Sequence, residues 1–190
     1  RRIEIERGHL QGELLGLQLR GLRDLLPDSR LLFITAHRRE NLGRPLLSIS
    51  NTVRKILMAD EKVVIVWPVH SNPKVRATVD EVFADLPEEV AARIFLTRPL
   101  HYSTTLNLLK RAWLVLTDSG GIQEEAACLH VPVLILREAT ERPELVSSGG
   151  GRLIGTSGAA ILEAVGELRD NPAAYQSMCD AINPFGDGYA

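Results

Sequence analysis

Short apolar runs alternate with longer segments of helical period from residue 30 to residue 169. "RLLFIT" (30–35) precedes "RPLLSISNTVRKILM" (44–58), and "KVVIVWPV" (62–69) precedes "PKVRATVDEVFADL" (73–86). "RIFL" (93–96) and "WLVLT" (113–117) are followed by "TLNLLKRA" (105–112) and "GIQEEAACL" (121–129). "VPVLIL" (131–136) and "GRLIG" (151–155) lead into "RPELVS" (142–147) and "AAILEAVGELR" (159–169). The apolar runs are rich in β-branched residues and too short for helices, so they read as strands. Strands alternating with helices predict an α/β fold: a Rossmann-like, doubly wound, mostly parallel sheet of about six strands, covered on both faces. Upstream, "HLQGELLGLQLRGLRDLL" (9–26) spaces leucines by three and four and predicts an amphipathic helix. No linker or repeat interrupts the pattern, so residues 1–190 are expected to form one nucleotide-binding domain.

In such a sheet the turns after the strands collect at one edge, where ligands bind. Three of those turns are polar: "TAHRREN" (35–41), "PVHSNP" (68–73) and "TDSGGIQEEA" (117–126). In the last, Gly120 and Gly121 open a helix, so their amides lack intrahelical partners and carry the positive end of the macrodipole. Without Cβ atoms they let an anion approach the backbone. Ser119 adds a hydroxyl donor, and a diphosphate suits that seat. Glu125 follows about 9 Å along the helix, at 1.5 Å per residue, where a carboxylate can accept from a ribose diol. The plainer alternative is that Asp118 or Ser119 only caps the helix, while Glu124 and Glu125 complement its dipole.

His37, beside Arg38 and Arg39, is a candidate to protonate or pair with a phosphate leaving group. Its plainer reading is a loop histidine among solvated arginines. His70, between prolines, reads by itself as a turn residue bonded to backbone. In "TERPE" (140–144), Arg142 can reach a phosphate or merely begin a helix, with Thr140 as its cap and Pro143 in its first turn. Cys128 is expected on the buried side of its helix, as packing. The serine lacks the G-x-S-x-G elbow, which argues against a Ser119–His37–Asp118 triad.

The net charge of −2 calls for neither nucleic acid nor an anionic membrane as partner. Two cysteines make no disulfide framework, which fits a reducing, cytoplasmic compartment, and the histidines show no paired metal spacing. No metal and no cofactor is expected. The chain opens on Arg1, and an excerpt of something longer is expected.

"TAHRRENLG", "PVHSNP", "LTDSGGIQEEA" and "TERPE", in this order, together resemble the non-hydrolysing UDP-N-acetylglucosamine 2-epimerases, from about residue 30 to residue 188. The ending "NPFGDGYA" is close to the family's N-P-Y-G-D-G. The resemblance implies one half of a GT-B architecture, the C-terminal UDP-binding domain, with the N-terminal domain and final helix absent. It implies interconversion of UDP-GlcNAc and UDP-ManNAc by elimination and re-addition of UDP, in the setting of cell-envelope polysaccharide biosynthesis. Partners so implied are UDP, the UDP-N-acetylhexosamine and the missing domain, with a homodimer for the full-length protein. Residue by residue, Ser119, Gly120 and Gly121 would hold the diphosphate, Glu125 the ribose, and His37 would be the catalytic residue of this half. Arg38 and His70 match positions that touch a second, regulatory UDP-GlcNAc in bacterial members. "PLHY" puts His101 where the family has an acid, and Thr105 stands at a common aromatic position near the uracil, so the base seat departs from the pattern. The isolated chain is expected to bind UDP weakly and not to turn over. Two rivals remain: the donor-binding half of a GT-B glycosyltransferase, and a non-catalytic nucleotide-sugar sensor.

Overall fold

A computed structural model describes residues 19–186. Residues 9–18 of the leucine-rich helix expected at 9–26 lie outside the described residues. Its last turn is present as α1 (Leu22–Leu25), which runs on into a 3₁₀ turn at Leu26–Asp28.

From there the expected alternation holds. Strand β1 (Arg30–Thr35) leads to α2 (Arg44–Ala59), β2 (Val63–Pro68) to α3 (Pro73–Phe83), and a short α4 (Glu88–Ala91) precedes β3 (Ile94–Thr97). Then follow α5 (Tyr102–Leu109), β4 (Leu114–Thr117), α6 (Gly120–Cys128), β5 (Val133–Ile135), α7 (Pro143–Ser147), β6 (Gly151–Leu153), α8 (Gly158–Asp170) and α9 (Pro172–Cys179). The six strands run in the order β3-β2-β1-β4-β5-β6, and every described pairing is parallel.

Strand periodicity explains the two apolar layers. Along β1, Leu32 and Ile34 face one cluster with Ile65, Trp67, Leu116 and the α2 residues Ile49 and Val53. Leu31 and Phe33 face the other, with Val64, Val66, Val115 and the α5–α6 residues Leu108, Leu109 and Ala126. Successive side chains point to opposite faces, and both faces are covered, so the strands read as continuous apolar runs rather than alternating ones.

The strand order places the site. The chain moves outward from β1 to β2 and β3, then returns to add β4 on the other side of β1. Between β1 and β4 the connections diverge in opposite directions and leave a crevice at the carboxyl ends of the strands. Thr35 and Thr117 pair in register there, and their hydroxyls lie 2.6 Å apart. "TAHRREN" and "TDSGG", far apart in sequence, therefore leave the sheet side by side.

Candidate anion site at the sheet switch point

Asp118, the residue after β4, is fully buried and organises the crevice. Its Oδ2 accepts from the backbone amides of His37 (2.8 Å) and Arg38 (2.7 Å), and from Asn41 Nδ2 (2.9 Å). Asn41, itself buried, also donates to the Leu136 carbonyl at 3.0 Å, which ties the loop after β1 to the end of β5. Asp118 thus does not cap α6, contrary to the plainer alternative. Ser119 occupies the N-cap position without a side-chain capping bond, and its own amide donates to Thr117 Oγ1 at 2.9 Å. The first-turn amides of α6 and the Ser119 hydroxyl are left to face an incoming group.

Arg142 borders this helix start. A Cβ built on Gly120 would lie 3.8 Å from the Arg142 Cζ and 3.9 Å from its Nη2. Glu124 accepts from Arg142 Nε, while Nη1 is bonded to the Glu141 carbonyl at 2.8 Å. The guanidinium is therefore aimed by its neighbours rather than loose in solvent. Thr140 does not cap α7, whose N-cap position is Arg142. Its hydroxyl accepts from the Arg142 amide at 3.0 Å and donates to the buried Gln123 at 2.9 Å, which fastens the "TERPE" loop to α6.

His37 is half-exposed, with Nδ1 3.4 Å from Asp118 Oδ1. The His70 ring stacks on it, centroids 5.4 Å apart and planes within 8°. His70 Nδ1 accepts from the Asn72 amide at 3.1 Å, the turn bond expected of it, so its proton sits on Nε2 when the ring is neutral. Arg38 is engaged by Glu141 at 3.2 Å, and Arg137 bridges Glu40 (2.8 Å) and Glu141 (3.4 Å). The Arg38 guanidinium, with a hydrogen bond from Arg137, holds the Glu141 carboxyl below the usual carboxylate range. A groove of about 700 Å³ continues from His70 past Ser71, Arg76 and Arg98. Another, of about 790 Å³, lies at the β6 edge between Val146, Leu153, Glu163 and Met178 and contains none of the expected site residues.

Glu125 is half-buried on α6, and its Oε2 is buried with no hydrogen-bond partner among the described residues. Burial, reinforced by the neighbouring Glu124 charge, raises its pKa. Among the described residues this oxygen is therefore left without a donor. His101 caps α5 by position and lies 3.0 Å from the Ser103 hydroxyl through Nδ1.

Cys128 corrects an expectation: it is exposed, and its sulfur accepts from Asn183 Nδ2 at 3.3 Å. Helix α6 buries Gly120, Gln123, Ala126 and Ala127, and one further residue turns about 100° out of that face. Among the described residues, no group of three or more His, Cys, Asp or Glu is placed to hold a metal. No helix there is long and apolar enough to cross a membrane.

The fold and crevice define a Rossmann-like domain whose switch point brings the β1 loop carrying His37 to Asp118, with the start of α6 and the Arg142 guanidinium beside it. The sequence pattern of the UDP-N-acetylglucosamine 2-epimerase family matches residues 8–190, and the chain belongs to that family. It is 42% identical over 164 residues to the UDP-N-acetylglucosamine 2-epimerase of Escherichia coli K12, covering 86% of this chain and 42% of that protein. To the Bacillus subtilis enzyme it is 41% identical over 167 residues, covering 88% and 43%. Among solved structures, the S. aureus MnaA–UDP complex superposes with a TM-score of 0.83 at 40% identity, over 89% of this chain and 45% of that one. The Neisseria meningitidis enzyme bound to UDP-GlcNAc gives 0.80 at 32%, over 94% and 49%. A trehalose-phosphate synthase from Burkholderia xenovorans, at 11% identity and a TM-score of 0.63, shares the fold alone. The chain spans less than half the length of these relatives.

Proposed function

We propose that this chain is the UDP-binding half of a two-domain, GT-B-type UDP-N-acetylglucosamine 2-epimerase. The observation that carries the reading is the convergence, at one switch point, of the α6 N-terminus (Ser119, Gly120, Gly121), the Glu124-aimed Arg142 and His37. In the reaction a base removes the C2 proton of the sugar, and the C2–H electron pair becomes the C1=C2 bond of 2-acetamidoglucal. The C1–O bond breaks and UDP leaves with its electron pair; UDP then returns to C1, the C1=C2 pair takes up a proton on the opposite face of C2, and that centre is inverted. Charge grows on the departing diphosphate, and fixed amide dipoles stabilise it without reorganising. His37 stands beside the leaving oxygen to give it a proton and take it back, Glu125 holds the ribose diol, and the 700 Å³ groove leads toward the base.

The groups that move the C2 proton belong to the other domain in this reading, so the chain alone binds UDP and does not turn over. Arg38 and His70 face a second nucleotide sugar in the same cleft, and the full-length protein assembles as a homodimer. Two free thiols and the lack of an apolar span among the described residues go with a cytoplasmic setting. Calorimetric titration with UDP, with CMP and ADP as controls, tests the nucleotide assignment. Selective UDP binding that collapses in Glu125→Ala supports it, and equal binding of all three removes it. Epimerisation of UDP-GlcNAc detected by NMR with the pure chain would overturn the division of labour.

A further inference from the structure

The buried carboxylate after β4 has two oxygens with different duties. Oδ2 takes all three structural donors: the His37 amide, the Arg38 amide and Asn41 Nδ2, each within 2.9 Å. Oδ1 is buried and has no hydrogen-bond partner among the described residues, yet it lies 3.4 Å from His37 Nδ1. A fully buried carboxylate oxygen without a donor is costly, so a nearby N–H that can reach it is favoured to do so. Catalytic contacts are often long in ligand-free sites and tighten when the substrate's charge arrives. The parallel His70 ring restricts the other degree of freedom, the tilt of the imidazole plane.

We propose that Asp118 is a positioning residue for His37, fixing its imidazole as the Nδ1–H tautomer so that proton gain and loss fall on Nε2. This rests on the reading of His37 as the proton-transfer group of this half. A carboxylate accepts Nδ1–H from the neutral and the protonated ring alike, so the ring keeps its place through both halves of the reaction. The far nitrogen, Nε2, carries the exchangeable proton to and from the diphosphate oxygen. The same carboxylate holds the loop through the two amides, so the catalytic ring and the start of α6 are registered to one residue.

The division between the two oxygens makes the idea testable. In Asp118→Asn the amide oxygen can occupy the Oδ2 place and keep all three structural donors. The amide NH2 then sits at the Oδ1 place and donates to Nδ1, forcing the proton onto Nε2. Nitrogen-15 NMR of the histidine-labelled chain, at alkaline pH where imidazoles are neutral, reads the tautomer directly. The expected result is Nδ1–H in the native chain and Nε2–H in Asp118→Asn. In the complete two-domain enzyme the same substitution is expected to lower kcat by about 10²–10⁴-fold, the span associated with misdirected proton transfer, with KM changed by only a few-fold. An Nε2–H ring in the native chain overturns the proposal, a measurement that needs no variant to fold. So does a kcat unchanged by Asp118→Asn while His37→Gln abolishes turnover. If His37→Gln also leaves turnover intact, it is the catalytic reading of His37 that fails, and the positioning role for this reaction falls with it.

Discussion

Replacing Glu125 by Gln should strengthen the fold and weaken nucleotide binding at the same time. Its Oε2 is buried with no partner, and burial, reinforced by the Glu124 charge, raises its pKa. A buried polar atom left unsatisfied costs about 1–3 kcal/mol. The rest of this carboxyl is half-exposed and screened, so about 0.5–1 kcal/mol is the share to expect here. A neutral amide is still polar but removes the charge, which relieves part of that cost and for a domain of this size corresponds to a melting temperature higher by about 1–2 °C at neutral pH. The sign with pH follows from the raised folded-state pKa. The folded chain binds this proton more tightly than the unfolded one, so stability falls as pH rises through the window between the two values and stays lower above it. The advantage of Glu125→Gln should therefore grow as pH rises through that window and fade as pH drops below the ordinary carboxylate value, where both chains carry a neutral group. A ribose diol donating to the ionised carboxylate reverses the ledger on binding. Hydrogen bonds to charged groups are worth about 1.5–3 kcal/mol; with one acceptor oxygen kept by Gln, a loss near the lower end, about tenfold in Kd, is expected. For the native chain, UDP affinity should rise with pH as Glu125 ionises. Thermal melts at neutral and at acid pH, with calorimetry for UDP, read both effects. A variant that melts below the native chain at neutral pH, or binds UDP unchanged, would refute the account of the orphan oxygen or of the ribose seat, respectively.

Three further outcomes are expected. In the complete enzyme, His37→Asn should abolish epimerisation while changing UDP affinity by no more than a few-fold; intact turnover would favour a role in binding alone, as in a sensor. Gly151→Ala would place a Cβ 2.8 Å from Leu145 Cγ, a buried residue three positions after Arg142, so it should cost about 1–3 kcal/mol in chemical denaturation and weaken UDP binding by displacing α7. Wild-type values for both would show that β6 and α7 give way freely. Burial, helped by Cys179, raises the Tyr175 pKa, and its hydroxyl donates to the Trp113 carbonyl at 2.8 Å. The unfolded phenol ionises near pH 10 while the folded one stays protonated, so stability should fall above about pH 9.5, less steeply in Tyr175→Phe. Parallel denaturation curves for the two chains would remove Tyr175 from the alkaline transition.

The backbone course was legible in the chain because both faces of the sheet are covered. Runs such as "LLFI" and "VVIVW" announce strands by apolar continuity, and helices such as α2 by their spaced leucines and isoleucines. The helix start proposed as the anion seat was legible for a similarly local reason. Two glycines after a strand and before a helix bring the amides, the dipole and the open approach in a single turn, and Gly120 and Gly121 do open α6. Asp118 shows where such reading stops. Preceding Ser-Gly-Gly, it reads as a helix cap, and its sequence neighbours give no hint that its partners are His37, Arg38 and Asn41, some eighty positions away. Only the strand order, which returns β4 to the flank of β1, makes those residues neighbours. The stacking of His70 on His37 and the aiming of Arg142 by Glu124 belong to the same class. Local chemistry is written in adjacent residues because peptide geometry acts over one turn. The pairing of an acid with a distant histidine is decided by packing the whole sheet, a sum of many apolar contacts in which no single residue carries the answer.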